Sequence, residues 1–354
     1  MNQWKKYGNR IFLDGLSGMA LGLFSTLIVG TIIQQLGNLV GGAVGNYLFL
    51  IGKAAACLTG AGIGCGVAYK LKESPLVVLS AAASGMTGAF AAKILAGTFF
   101  VDGVVMLAGP GEPLGAFLAA YIGIEVGHFI SGKTKVDILL TPLTSIIAGG
   151  AAGLIIGPPI SAFMTELGAM INWAAQQHRF VMGVLIAVLV GIFLTLPISS
   201  AAICVILNLS GLAAGAATVG CCANMVGFAV ASYRENKVGG LFAQGLGTSM
   251  LQVPNIIKNP RIWIPAIVSS AIAGPLATCV FEMSNNATGA GMGTCGLIGQ
   301  IMTYQTMAPE RGGPVTLLLI LLMHVILPAI LSFVISEWMR KKSWIKSGDM
   351  KLEL

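Results

Sequence analysis

Only 9% of this 354-residue chain is charged, so each ionisable side chain set in apolar sequence asks for a reason. The stretch "GPGEPLG", Gly109 to Gly115, holds Glu112 between glycines and prolines that break a helix. A carboxylate on a broken membrane helix can hold a solute hydroxyl or carry a proton. The same residues describe equally a loop carboxylate in water. Asp14 follows Lys5, Lys6 and Arg10, and pairing with one of them is its expected role. Glu125 and His128 are three apart and share a helix face, which predicts a hydrogen-bonded pair at a span end. Glu-x-x-His also occurs in di-metal bundles, but those need a second such pair, and this chain has 3 histidines in all. No metal site is expected. His324, beside Pro328, either lines a cavity or donates to a backbone carbonyl that the proline frees.

The richest concentration of polar side chains is neutral. It comprises Gln244, Thr248, Ser249, Gln252, Asn255 and Asn259, joined by Asn224 on the preceding segment. Such amides and hydroxyls can hold a polyhydroxy or amide-bearing solute through a few placed hydrogen bonds. They can also simply tie helices together. The candidate substrate-binding residues are therefore Glu112, Asn224, Gln244, Thr248, Ser249, Gln252 and Asn255. No P-loop, Ser-His-Asp arrangement or zinc-ligand spacing occurs, so the sequence names no catalytic residue and no cofactor.

The elements that must position these groups follow from composition. The chain is 56% hydrophobic, with a mean hydropathy of +0.87. A soluble domain carries roughly 25% charged residues, and apolar runs of about 20 residues, enough to cross a bilayer, recur here from end to end. The expected fold is an all-α polytopic membrane protein, one membrane domain over residues 1–354. About ten spans are expected, with one or two Gly-rich re-entrant segments near 96–113 and 239–256. No polar stretch is long enough for a catalytic or nucleic-acid-binding head.

The net charge of +7 sits in short clusters, among them Lys70 and Lys72, Arg234 and Lys237, Lys258 and Arg261, and Arg340, Lys341 and Lys342. Basic residues beside spans mark the cytoplasmic side, so both termini are expected there. The basic start with its apolar run reads as an uncleaved first span. The 7 cysteines form no CxxC pair and read as small packing residues, not a disulfide framework. The chain holds 48 glycines, and "TGAGIGCG" from Thr59 is echoed by "TGAGMGTCG" from Thr288; the echo is either an internal repeat or chance.

The stretch Leu139 to Trp173, with Gly157-Pro158-Pro159-Ile160, resembles the membrane subunit (enzyme IIC) of fructose-type phosphotransferase-system permeases. In that family a span ends in a similar Gly-Pro-Pro-Ile, and an amphipathic helix follows. Gly245 to Ala277 is similar to the segment that carries a Gly-Ile-Thr-Glu motif there. Here Gly247-Thr248-Ser249-Met250 stands in its place, so the glutamate becomes Met250, a weak acceptor that cannot do a carboxylate's work. "GPGEP" around Glu112 has the form of the missing motif, in the other half of the chain. The overall pattern resembles the stand-alone, perfringolysin-regulator-like (PfoR-like) branch.

The resemblance implies a bacterial cytoplasmic-membrane permease, working as a homodimer on a small polar solute of the sugar or polyol class. Any phosphoryl donor would be separate IIA and IIB proteins. The alternatives are a ligand-sensing membrane regulator and an ion-coupled transporter.

Overall fold

The computed structural model describes residues 8–107 and 109–352, almost wholly helical. The described residues divide into two compact units, one before and one after the point between Phe163 and Met164. The first contains α1 (Arg10–Val40), α2 (Gly42–Cys57), α3 (Thr59–Lys70), α4 (Pro75–Ala89) and α5 (Pro113–Ile130), and the division falls inside α6 (Asp137–Ala175). The second contains α7 (Arg179–Thr195), α8 (Gly211–Ala231), α9 (Pro260–Val280), α10 (Ile298–Arg311) and α11 (Gly313–Lys341). Among the described residues, α1, α5, α6, α8, α9 and α11 are long and apolar enough to cross a bilayer. The pair α2 and α3, bent by 54°, would make a seventh span, and α4 and α7 are shorter apolar helices. The all-α polytopic class expected from the hydropathy is the one that forms.

In hydrocarbon no hydrophobic drive pushes helices together, so close backbone approach must supply the packing. A Cβ at Gly22 of α1 would run into the carbonyl of Gly62 on α3, and one at Gly88 of α4 into that of Gly115 on α5. Polar ends of the helices find ionic partners. Arg10 donates to Glu73 at 2.7 Å and to Glu125 at 2.8 Å, and His128 Nδ1 lies 2.8 Å from the second oxygen of Glu73. Glu125 and His128 are thus linked through Glu73 and Arg10 and not to each other. The reason is Glu73, whose side chain is only 5% exposed and needs a partner on each oxygen. The expected pairing of Asp14 with Arg10 gives way to the same demand, and Asp14 is exposed. Lys5 and Lys6 lie outside the described residues.

The expected re-entrant segment near 96–113 contains no helix between Ala96 and Glu112. It turns back on itself as β1 (Phe100–Val101) and β2 (Val104–Val105), with Phe100 opposite Val105. Asp102 and Gly103 form the turn with φ of 50° and 77°. Two positive φ values are what a tight hairpin needs, and Asp-Gly accepts them. At Gly157-Pro158-Pro159-Ile160 the helix does not stop, because α6 continues to Ala175. Proline's fixed φ is compatible with a helix; what it removes is the N–H bond, a loss that spanning helices tolerate where neighbours or side chains compensate. The glycine echo is not a structural repeat. Its first copy lies inside α3, whereas the second is the short helix Ala287–Ala290 followed by turns with Gly293, Gly296 and Leu297 at positive φ. All 7 cysteines are free; Cys279 is exposed, unlike the packed Cys204, Cys221, Cys222 and Cys295.

The second unit is built round α8, buried along almost its whole length and packed against α7, α9 and α11. Between α8 and α9 the chain is broken. A helix over Tyr233–Phe242, kinked at Lys237 (φ 52°), passes into a π-turn over Ala243–Gly247. Extended Thr248 follows, then a tight 3-10 turn over Ser249–Gln252 and a short helix over Val253–Lys258.

Overpacking a helix contact costs about 1–3 kcal/mol, so Gly22→Val should lower the thermal midpoint of the detergent-purified protein by several degrees. Gly239→Ala, where an added Cβ meets nothing within 4 Å, should leave it within error.

Candidate functional site

The broken segment gathers most of the polar side chains singled out by the sequence. The glycines at Gly245 and Gly247 weaken the helix, and Thr248 then leaves it with φ −159° and ψ 141°. Its hydroxyl accepts from the Met250 N–H at 3.1 Å and starts the next turn. Two buried networks grow from here.

The first joins the segment to its neighbours. Ser249 Oγ and Thr195 Oγ1 are 2.8 Å apart, and Thr195 Oγ1 is 3.2 Å from Asn224 Oδ1. Trp263 Nε1–H donates to the same Oδ1 at 2.8 Å. An indole N–H can only donate, so it fixes which way the Asn224 amide faces. The Asn224 Nδ2 hydrogens then go to Gly220 O at 3.1 Å and Ser270 Oγ at 3.2 Å. Asn224 is fully satisfied, and it ties α8 to α9 and α7, whose Thr195 carries the link on to Ser249 of the broken segment.

The second is a row of three amides. Gln244 Nε2 donates to Ser232 Oγ at 2.9 Å and Gly240 O at 3.0 Å. Gln252 Nε2 donates to Gln244 Oε1 at 2.8 Å and to Met350 O at 3.0 Å. Asn255 Nδ2 donates to Gln252 Oε1 and to Lys351 O, both at 2.9 Å. Every N–H of the row is occupied, and two of the acceptors are backbone carbonyls of the C-terminal tail. Asn259 reaches the same tail at Asp349 Oδ2, 2.8 Å, and Trp344 O, 3.2 Å. Thr195, Trp263, Ser270 and Asn236 belong to these networks but carry no signal in the sequence beyond their polarity, because their partners are 29 or more residues away.

Glu112 belongs to the first unit. It precedes α5 as its N-cap, with its N–H on Ala89 O at 2.8 Å and its carboxylate accepting weakly from the Leu114 N–H at 3.5 Å. The group stands outside the spanning helix. Burial pushes its carboxyl up to about 7, while the Leu114 N–H opposes the rise. His324 is buried on a π-turn over Leu321–Ile326, with Nδ1 3.2 Å from Gln300 Nε2. Its partner is thus an amide on α10 and not the carbonyl freed by Pro328; its Nε2, like Gln300 Oε1, has no hydrogen-bond partner among the described residues.

A polytopic all-α chain with a broken, polar-lined segment beside a buried central helix has the build of a membrane transport component. The sequence matches the family model for the phosphotransferase system, EIIC, over residues 13–352, and the chain belongs to that family as a membrane sugar-transport permease component. No curated protein matches it.

Two outcomes test this geometry. Trp263→Phe leaves Asn224 Oδ1 short of its best donor, and a buried polar atom left short costs about 1–3 kcal/mol; calorimetry should show a lower thermal midpoint. Glu112 has a native pKa above its ordinary value of 4.5, so the native state keeps a proton that the unfolded chain loses between 4.5 and about 7. Its contribution is full below that window and declines as pH rises through it. Glu112→Gln should therefore flatten the decline of thermal stability across the window, and an unchanged pH profile would count against the buried carboxyl.

Proposed function

We propose that the chain binds and translocates a small polar solute of the sugar or polyol class at the broken segment of the second unit. Gln244, Thr248, Ser249, Gln252 and Asn255 are its hydrogen-bonding residues on this reading, and Asn224 holds the segment in register. The observation that carries it is the row of three buried amides that spans the break at Thr248, Gln244 before it and Gln252 and Asn255 after it. A hydroxyl donates to an amide oxygen and accepts from an amide N–H, so such a row suits a neutral polyhydroxy ligand better than an ion. Family membership supports the same class. Met250 offers no carboxylate to act beside a transferred phosphoryl group, and any phosphoryl donor on this reading is a separate IIA and IIB pair.

The orientation follows from charge. Arg234 pairs with Glu337, and Arg340 with Glu235, so the turn after α8 and the end of α11 share one basic end of the unit. Basic ends face the cytoplasm, which supports a cytoplasmic C-terminus in a bacterial inner membrane. The homodimer belongs to the same proposal.

A second reading, a ligand-sensing regulator, is favoured by Met250 and by the tail carbonyls that occupy the amides. A thermal-shift screen of the purified protein against sugars, polyols, amino acids and nucleosides separates them. A ligand at 100 times its dissociation constant stabilises by about 2.7 kcal/mol. A sugar or polyol shift lost in Ser249→Ala and Gln252→Ala supports the permease, with phosphoenolpyruvate-dependent uptake as its second sign. A shift that survives both variants moves the site elsewhere. No shift, with a transcriptional effect on deletion, supports the regulator.

A further inference from the structure

The C-terminal tail is the part of the second unit whose contacts the permease reading does not use. After α11 it has no regular structure over Ser343–Leu352, and Ser343 and Gly348 hold φ of 58° and 93°. Even so it is tightly docked. Ile345 is 2% exposed and Met350 0%, packed with Phe228, Ile256, Ile262 and Met339. Its backbone serves side chains of the broken segment and the turn before it. The Met350 carbonyl accepts from both Gln252 and Asn236, at 3.0 and 2.8 Å, and the Lys351 carbonyl from Asn255 at 2.9 Å. The Leu352 N–H donates to Asn236 Oδ1 at 2.8 Å, and the Gly348 N–H to Glu235 Oε1 at 3.0 Å.

We propose that this tail is a detachable strap, which holds the broken segment closed by supplying the acceptors that a solute's hydroxyls would otherwise supply. Three features point that way. The tail meets Gln252 and Asn255 through carbonyl oxygens alone, and a hydroxyl oxygen can replace a carbonyl oxygen as acceptor without loss of a hydrogen bond. If the tail left with nothing in its place, two buried donors would be unsatisfied, so departure is coupled to entry of another acceptor. A segment without secondary structure of its own is also where local opening is easiest. Beside it a cleft of about 220 Å³ lies between Asn255, Lys258 and Asn259 on one side and Gly348, Asp349 and Lys351 on the other, bridged by the Asn255–Lys351 and Asn259–Asp349 hydrogen bonds. The competition between tail and solute rests on the proposed solute site; the closure of the segment does not.

The test is hydrogen–deuterium exchange in nanodiscs on the full chain, on a chain ending at Lys342, and on Asn236→Ala, which removes two of the tail's hydrogen bonds with the chain intact. Exchange over residues 243–259 should rise at least tenfold in the truncated chain and by less in Asn236→Ala. Peptides from α10 and α5 should stay unchanged, which shows that the fold persists. A synthetic peptide of residues 343–352 added to the truncated chain should restore protection. Unchanged exchange over 243–259 in both variants overturns the strap, and so does a rise that the peptide fails to reverse. The same preparations titrated with fructose and mannitol address the solute site: tighter binding to the truncated chain supports both proposals. A strap that opens, with neither sugar bound in any form, removes the solute reading and leaves the strap standing.

Discussion

The structure depends on one constraint: a backbone that leaves the helix within an apolar chain must find partners for its N–H and C=O groups, and its side chains must find partners too. The segment from Ala243 to Lys258 leaves the helix at Thr248, and its surroundings are arranged to meet that demand. Asn224, buried in the middle of α8, meets part of it by joining Thr195, Trp263 and Ser270. The amide row meets the rest by running outward to the tail. Removing any one member leaves another short, so the two networks behave as units.

The first unit meets a related constraint by a different means. Its helices approach through small residues, and one ionic cluster ties helix ends together, where Arg10 and His128 share the buried Glu73. A buried carboxylate with two partners is a weak source of stability but a strong determinant of which ends meet. The N-terminal end of α1, the turn after α3 and the end of α5 are fixed to one another by that single side chain.

The chemistry available to the protein is that of neutral hydrogen bonding. The candidate site holds amides and hydroxyls, and Met250 brings no carboxylate to it. This suits a solute recognised by its hydroxyls. On the proposed reading, the occupied donors of the row make recognition and conformational change one problem: a solute entering there replaces an acceptor already present.

The sequence by itself determined the class of the fold, since hydropathy over runs of bilayer length leaves no other architecture, and it marked the place of the second break, where Gly245, Gly247, Pro254 and Pro260 weaken the helix within a cluster of polar side chains. It located the neutral polar cluster for the same reason, as polar side chains are costly and therefore conspicuous in apolar sequence. What only the tertiary structure decided was partnership. Glu125 and His128 are neighbours by spacing yet bond through Glu73, 52 and 55 residues away in the chain, because burial of Glu73 demands two donors. Asp102-Gly103 made a hairpin within the segment that glycine richness marked as re-entrant, and α6 ran through two prolines at the Gly-Pro-Pro-Ile stretch. The tail is the fullest case. Nothing local in Met350 or Lys351 announces an acceptor for Gln252 and Asn255, since every residue carries the same carbonyl and only the folded path decides which one arrives.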